Sequence, residues 1–370
     1  ERPALVVMVG TKAQFIKTAP VLVAMDRIGL RYKLVYTGQH SETFDVLESV
    51  FGVHAPTDNL VPGTEADTAR GLVSWAFRFL LAAAGRIRSG AWRGARWGVV
   101  HGDTASALLG AIVFRIAGIR VAHVEAGLRS PRVFSPFPEE VIRRLVSRLS
   151  SLHFAPDRSS ALNLERANGI VVETGGNTLA DALRMALGAP GAGESTSRGD
   201  AFAVVSLHRS ENLGSSRRLS LLMTEIINAS RVIPVRFVLH PVTRKKLVRS
   251  GWWEKLEAEP GIVMMQRTDY VSFVRLLRGA RFLLTDGGSN QEEAAMLGLP
   301  TLLMRAETER LDGLESGVVK VSGLDRDIIR DFVETHARTT WSLRLELPMG
   351  SPSAVVADCL AKPSVGVSQE

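Results

Sequence analysis

Side chains able to move protons recur in this sequence just after short apolar runs. His101-Gly102-Asp103-Thr104 follows Trp97 to Val100, His123-Val124-Glu125 closes the run Val121 to Val124, and Glu139-Glu140 precedes an amphipathic stretch. A carboxylate at the end of a buried strand needs a partner or a purpose. Arg129, four residues after Glu125, would be a purely structural partner. Asp103 would serve structurally as the N-cap of a helix from Ala105 onward, and Glu139 or Glu140 as a complement to the dipole of a helix expected over 141–150. In the second half, His208-Arg209-Ser210-Glu211-Asn212 follows Val204 to Leu207, and His240 follows Val235 to Leu239. Phe282 to Thr285 runs into Asp286-Gly287-Gly288-Ser289-Asn290, with a helix expected from Gln291. Strand, glycine turn and helix start offer free backbone N–H groups and a positive dipole end to a phosphate or diphosphate; a plain turn capped by Asn290 is the alternative. No G-x-x-x-x-G-K-[S/T] loop and no strand-borne G-x-G-x-x-G is present, which argues against kinases and dinucleotide oxidoreductases. The histidines do not fall at metal-ligand spacing, so no metal site is expected.

These residues need elements to position them. Strand-like runs over 5–9, 32–36, 97–100 and 121–124, and again over 202–206, 235–239, 262–265 and 282–285, alternate with helix-like segments. That alternation predicts an α/β protein with parallel sheets covered by helices. At roughly 100 to 200 residues per domain, the 370 residues suit two doubly wound, Rossmann-like domains facing across a cleft. The expected division is 1–175 and 176–350, with a C-terminal helix in 351–370 packing back on the first domain. The turn-rich stretch Ala189 to Asp200 is the best loop near the boundary, and the hinge itself is expected around Glu173 to Gly176. Ligands bind at the strand C-terminal ends of such sheets, so the cleft is where function is expected.

Composition narrows the classes. Hydrophobic residues make up 45% and charged residues 22%, and 33 Gly with 16 Pro are too few for a fibrous or disordered chain. The longest apolar stretches are broken by Arg78 and Arg86 well short of the roughly 20 residues a membrane span needs. The chain enters a strand directly after Glu1-Arg2-Pro3, with no signal peptide to read, and its lone Cys359 suits a reducing compartment, so it reads as cytoplasmic. The net charge of +7 raises the question of a nucleic-acid partner, and Arg86, Arg88, Arg93 and Arg96 interleave with Trp92 and Trp97. That cluster sits where a helix ends, where basic side chains complement the dipole. It reads as a solvated helix end, with no nucleic-acid partner, and the positive charge suits a small anionic substrate.

Taken in order, Gly10-Thr11, Thr37-Gly38-Gln39-His40, His101 to Thr104, His123 to Arg129, Pro138-Glu139-Glu140 with Arg143, Gly176-Asn177-Thr178, His208 to Asn212, His240-Pro241, Gln291 to Ala294 and Thr308-Glu309-Arg310 resemble the UDP-N-acetylglucosamine 2-epimerase family. The resemblance implies the GT-B fold and inversion at C2 of the sugar, through loss of UDP to 2-acetamidoglucal, without a cofactor or metal. It makes Asp103, Glu125 and Glu139 the acid–base residues and His208 the catalytic histidine. Lys17 and Arg143 fall to the sugar pocket, Gly288, Ser289, Glu293 and Arg310 to the nucleotide, and Lys12 and His240 to further substrate contacts. Gln39 and His40 match a possible activator site, and family members are commonly homodimers. The chain departs from the family at Lys12-Ala13-Gln14, usually Arg-Pro-Glu; at Asp286-Gly287-Gly288-Ser289, usually Asp-Ser-Gly-Gly; at Ile142, commonly Asn; and at Glu42, usually Gln. A hydrolysing relative that releases N-acetylmannosamine, a GT-B glycosyltransferase and a silent nucleotide-sugar binder are the alternatives.

Overall fold

Parallel pairing organises the whole chain. The computed structural model describes residues 4–39, 44–63, 69–130, 138–189, 201–308, 312–341 and 344–362. Two compact units result: Glu1–Met185 together with Pro348–Glu370, and Ala186–Leu347.

The first unit holds β1 (Leu5–Val9), β2 (Tyr32–Tyr36), β3 (Asp58–Asn59), β4 (Trp97–His101), β5 (Arg120–Val124), β6 (Leu152–Ala155) and β7 (Ile170–Glu173). They pair in the order β3-β2-β1-β4-β5-β6-β7, all parallel. Every residue of β1 and β4 is buried, as expected of central strands covered by helices on both faces. The strand order reverses between β1 and β4, which opens a crevice at their carboxyl ends.

The second unit repeats the plan with β8 (Ala203–Ser206), β9 (Val235–Leu239), β10 (Ile262–Gln266), β11 (Leu283–Thr285), β12 (Thr301–Leu303) and β13 (Val319–Val321). Their order is β10-β9-β8-β11-β12-β13, again all parallel, with the reversal between β8 and β11. The eight strands expected from sequence are present within one residue at either end. Five more, β3, β6, β7, β12 and β13, carry no strong sequence signal, being two to four residues long.

Trp92 and Trp97 are core residues at 3% and 1% exposure, not a stacking surface. Arg86 binds Asp58, and the Arg120 guanidinium lies 4.4 Å over the Trp97 ring. The basic cluster therefore has no exposed aromatic face. Among the described residues no helix is long and apolar enough to cross a membrane.

The C-terminal helix Pro352–Ala361 lies against the helix Lys12–Arg27. It is fastened by Asp181, whose Oδ2 accepts from Ser351 Oγ at 2.9 Å and from the Ser353 N–H at 2.8 Å, and by Arg96, which donates to the Leu360 carbonyl.

Gly98 sits in the middle of β4, where an added Cβ would lie 2.2 Å from the Phe114 ring. The Gly98→Ala variant is expected to lose about 1–3 kcal/mol through overpacking, read as a lower urea midpoint; an unchanged midpoint would show that Phe114 moves aside at no cost.

Candidate active site

In the first unit the crevice between β1 and β4 is built by a buried glutamine. The Gly10 N–H donates to Gln14 Oε1 at 2.9 Å, and Gln14 Nε2 donates to the His101 carbonyl at 2.7 Å. Gln14 thereby ties the end of β1 to the end of β4. Thr11 caps the helix Lys12–Arg27, its hydroxyl accepting from the Gln14 N–H at 3.2 Å. At Gly10 a Cβ would be 1.9 Å from Ser106 Oγ, so the approach admits only glycine. The helix aimed in this way buries Lys17, whose Nζ contacts both Glu125 oxygens at 2.8 and 3.0 Å.

Glu125 follows β5 with φ of 61°, a left-handed conformation that costs a non-glycine residue on the order of 1 kcal/mol. Such strain collects at functional positions. His101 completes the surroundings, with Nδ1 3.6 Å from Glu125 Oε2 and Nε2 3.1 Å from Thr178 Oγ1. Burial brings its pKa down to about 4, against the opposing pull of Glu125, so the ring is neutral. The partner of Glu125 is thus Lys17, not Arg129, which donates to the Leu128 carbonyl and to Ser147 Oγ.

The other two carboxylates are treated differently. Asp103 Oδ2 meets Arg143 Nη2 at 2.6 Å. It does not cap the following helix; Thr104 does, accepting from the Ala107 N–H at 3.2 Å. Burial alone would lower the Arg143 pKa, but Asp103, Glu125 and Glu140 outweigh it and raise the value. Glu140 is fully buried and structural, bound to Arg144 Nε at 2.8 Å and to the Ser130 N–H at 3.0 Å. Glu139 opens the helix Glu139–Leu149, two residues earlier than expected, and its buried Oε2 has no hydrogen-bond partner among the described residues.

In the second unit the helix Gly288–Leu297 begins at the glycine turn, three residues before the expected Gln291, and no side chain caps it. Asn290 instead donates to Thr285 Oγ1 at 3.1 Å. Gly288 and Ser289 are partly open at this helix start, and Gln291, Glu292 and Glu293 are buried. Burial, with the Glu293 carboxylate beside it, keeps the Tyr270 phenol protonated. The rings of His208 and His240 are 5.7 Å apart, and Arg267 Nη1 is 3.5 Å from His240 Nε2. The His208 side chain is 40% open, yet its buried part lowers its pKa; Asp286 opposes this, while Arg209 and Arg267 add to it.

Of the residues expected from sequence, the first unit brings Lys17, Glu125, Asp103 and Arg143 to one crevice. Lys12 starts the adjoining helix, and Gln39 Oε1 accepts from Ser106 N and Oγ at 3.2 and 2.6 Å. The second unit brings His208 and His240 together beside Gly287, with Gly288 and Ser289 at the helix start that follows and Glu293 further along that helix beside Tyr270. His40 and Arg310 lie outside the described residues. Gln14, His101, Thr178 and Asp286 shape the two crevices without having been assigned a role from sequence; their polar character at or near strand ends was the available signal. Among the described residues no group of His, Cys, Asp and Glu is arranged to hold a metal ion.

The family model described as UDP-N-acetylglucosamine 2-epimerase matches residues 24–346. A UDP-N-acetylglucosamine 2-epimerase of Methanocaldococcus jannaschii is 30% identical over 347 residues, spanning 89% of this chain and 91% of the relative. A crystal structure of the epimerase from that organism, in complex with UDP-GlcNAc and UDP, superimposes with a TM-score of 0.81 at 27% identity, over 96% of this chain and 99% of the other. A spinosyn rhamnosyltransferase at 15% identity and a TM-score of 0.52 covers 96% of this chain and 95% of its own, which extends the likeness in fold alone to a glycosyltransferase.

Three histidines at the ends of or within adjacent strands are buried and neutral. His101 titrates at about 4 and His123 at about 3, both because burial disfavours the cation, and His153 is lowered for the same reason. Their folded values lie below the unfolded value near 6.5, so the unfolded chain gains protons first as pH falls. Stability is expected to be level above pH 6.5 and to drop between about 6.5 and 4, by roughly 3 kcal/mol for His101 alone. Urea midpoints at pH 7.5, 5.5 and 4.5 measure this, and a flat profile would contradict it.

Proposed function

Because the chain belongs to the UDP-N-acetylglucosamine 2-epimerase family, we propose that it is a non-hydrolysing enzyme that interconverts UDP-N-acetylglucosamine and UDP-N-acetylmannosamine. One observation supports the division of labour. Asp103 and Glu125 each face a cation, whereas Glu139 keeps a buried oxygen with no hydrogen-bond partner among the described residues.

The C2 hydrogen is not adjacent to a carbonyl, so it must be acidified before removal. Cleavage of the C1–O bond, with its electron pair passing to UDP, develops oxocarbenium character at C1. A carboxylate then takes the C2 proton, the C1–C2 double bond forms, and 2-acetamidoglucal and UDP result. Protonation of C2 from the opposite face and return of UDP to C1 complete the inversion with no net change in atoms or electrons. Glu139 is the base for one face, because its uncommitted oxygen accepts a proton without first breaking an ion pair. Asp103 serves the other, delivering to C2 a proton taken up from solvent and pairing with Arg143 once that proton has left, while Glu139 returns its own proton to solvent; two carboxylates in unlike surroundings suit two roles. Glu125, fixed by Lys17, offers its charge to the cationic carbon.

The second unit takes the nucleotide. The uncapped start of the helix Gly288–Leu297 suits the diphosphate, Glu293 the ribose hydroxyls, and His208 the charge that develops on the leaving phosphate. His240 and Arg310 add contacts to the same half of the substrate, Lys12 is a substrate contact of the first unit, and Gln39 and His40 belong to an activator site. The UDP-GlcNAc and UDP in the Methanocaldococcus jannaschii structure support this reading.

Proton NMR of UDP-N-acetylglucosamine with the enzyme in D2O tests it: UDP-N-acetylmannosamine carrying deuterium at C2 is expected, while free N-acetylmannosamine with UDP would identify the hydrolysing reaction instead. The Glu139→Gln variant should lose roughly 100- to 10,000-fold in turnover and keep its affinity for UDP. Calorimetry of Glu293→Ala should show weakened UDP binding; an unchanged affinity removes the ribose role.

A further inference from the structure

Asp286 is a carboxylate of the second unit's crevice with several donors. It is fully buried at the end of β11. Its Oδ1 accepts the His208 N–H at 2.8 Å, and its Oδ2 accepts the Arg209 N–H at 3.1 Å and Asn212 Nδ2 at 2.9 Å. Asn212 Nδ2 also donates to the Met304 carbonyl at 2.9 Å, so the segment is held beside the end of β12 as well. All three donors come from the segment that carries His208, and the His208 ring itself places Nδ1 3.7 Å from Asp286 Oδ1. A buried carboxylate that collects its partners from one short segment fixes that segment's path.

Gly287 supplies the other wall. Its φ of −84° and ψ of 131° are open to any residue, so the backbone does not call for glycine. Space does: an added Cβ would lie 2.7 Å from His208 Cε1 and 3.3 Å from Asn290 Nδ2. The place occupied by the His208 ring is therefore available because this chain has glycine there.

We propose that Asp286 and Gly287 are positioning residues that seat the His208 imidazole at the start of the helix Gly288–Leu297, Asp286 aligning Nδ1 and Gly287 leaving room for Cε1. The inference rests on the role given to His208 above. Among the described residues, the charged and titratable groups that act on the ring are Asp286 at the end of β11, Arg209 on its own segment, Arg267 after β10 and His240 after β9. Glu211, three residues on, is taken up by Arg305 at 3.1 Å. Burial, Arg209 and Arg267 all lower the His208 pKa, and Asp286 is the group that opposes them. Removal of its charge moves the titration of the ring to lower pH.

The test uses the full chain with 13C-labelled histidine and no substrate, the His208 signals being those missing from His208→Gln. In the wild type a nuclear Overhauser contact links His208 Hε1 to the Gly287 α-protons. Gly287→Ala displaces the ring, read as a moved Hε1 resonance and a weakened contact with the residue 287 α-proton. Asp286→Asn shifts the His208 titration to lower pH, and each variant loses about 10- to 100-fold in turnover, the scale of a displacement near 1 Å, with UDP affinity retained. If Asp286→Asn does not fold, Gly287→Ala decides alone. Absence of the contact in the wild type, an unmoved titration in folded Asp286→Asn, or full turnover in the folded variants would overturn the proposal. Because the ring is observed without substrate, a wild-type protein that shows the contact but no epimerisation defeats the proposed function and leaves the seat intact.

Discussion

The Lys17–Glu125 ion pair is the constraint around which the first unit is arranged. Glu125 follows the end of a buried strand in a left-handed backbone conformation, and both side chains are about nine-tenths buried. A carboxylate withdrawn from water to that extent must be matched by a cation, and removal of either partner would leave an isolated buried charge at a cost of about 3–5 kcal/mol. Meeting that demand sets the aim of the helix Lys12–Arg27. Its start is fixed by the Thr11 cap, by the close approach at Gly10 and by the reach of Gln14 to the His101 carbonyl. The amide of Gln14 suits this tie, because an amide can donate to that carbonyl and a carboxylate cannot.

The two units share a strand order and differ in what stands at its reversal. The first unit presents carboxylates, two of them matched by Lys17 and Arg143, in a setting suited to proton transfer. The second presents an uncapped helix start flanked by histidines and arginine, a setting suited to anions. The same topology therefore yields opposite electrostatics, because the residues just after the strands, rather than the strands themselves, set the sign.

Much of this was legible in the sequence, for a physical reason. Central parallel strands are buried on both faces and read as unbroken apolar runs, so β1, β4, β8 and β11 and the polar residues after them stood out. Asp58–Asn59 is two polar residues long, Ile170–Glu173 is a largely exposed edge, and Leu152–Ala155 places a histidine among four residues directly after a helix. None offers a pattern long enough to show a period. Residue types in the crevices were readable, but their pairings were not. Glu125 has Arg129 four residues away, yet it binds Lys17, 108 residues distant. Local spacing offers partners that tertiary structure declines, and the roles of Gln14 and Asp286 likewise exist only once distant strand ends meet.

The return of the chain to its first unit has a consequence for biogenesis. The helix Pro352–Ala361 and the Asp181 carboxylate that anchors it belong to the unit that begins the chain, yet the whole of Ala186–Leu347 is translated between them. While the ribosome makes that insert, the face of Lys12–Arg27 awaiting the last helix remains uncovered, and Asp181 lacks its donors at Ser351 and Ser353. Domains commonly fold in the order in which they emerge. Here the first unit, although most of it precedes the insert, is completed only after the insert, when the helix Pro352–Ala361 reaches the helix Lys12–Arg27.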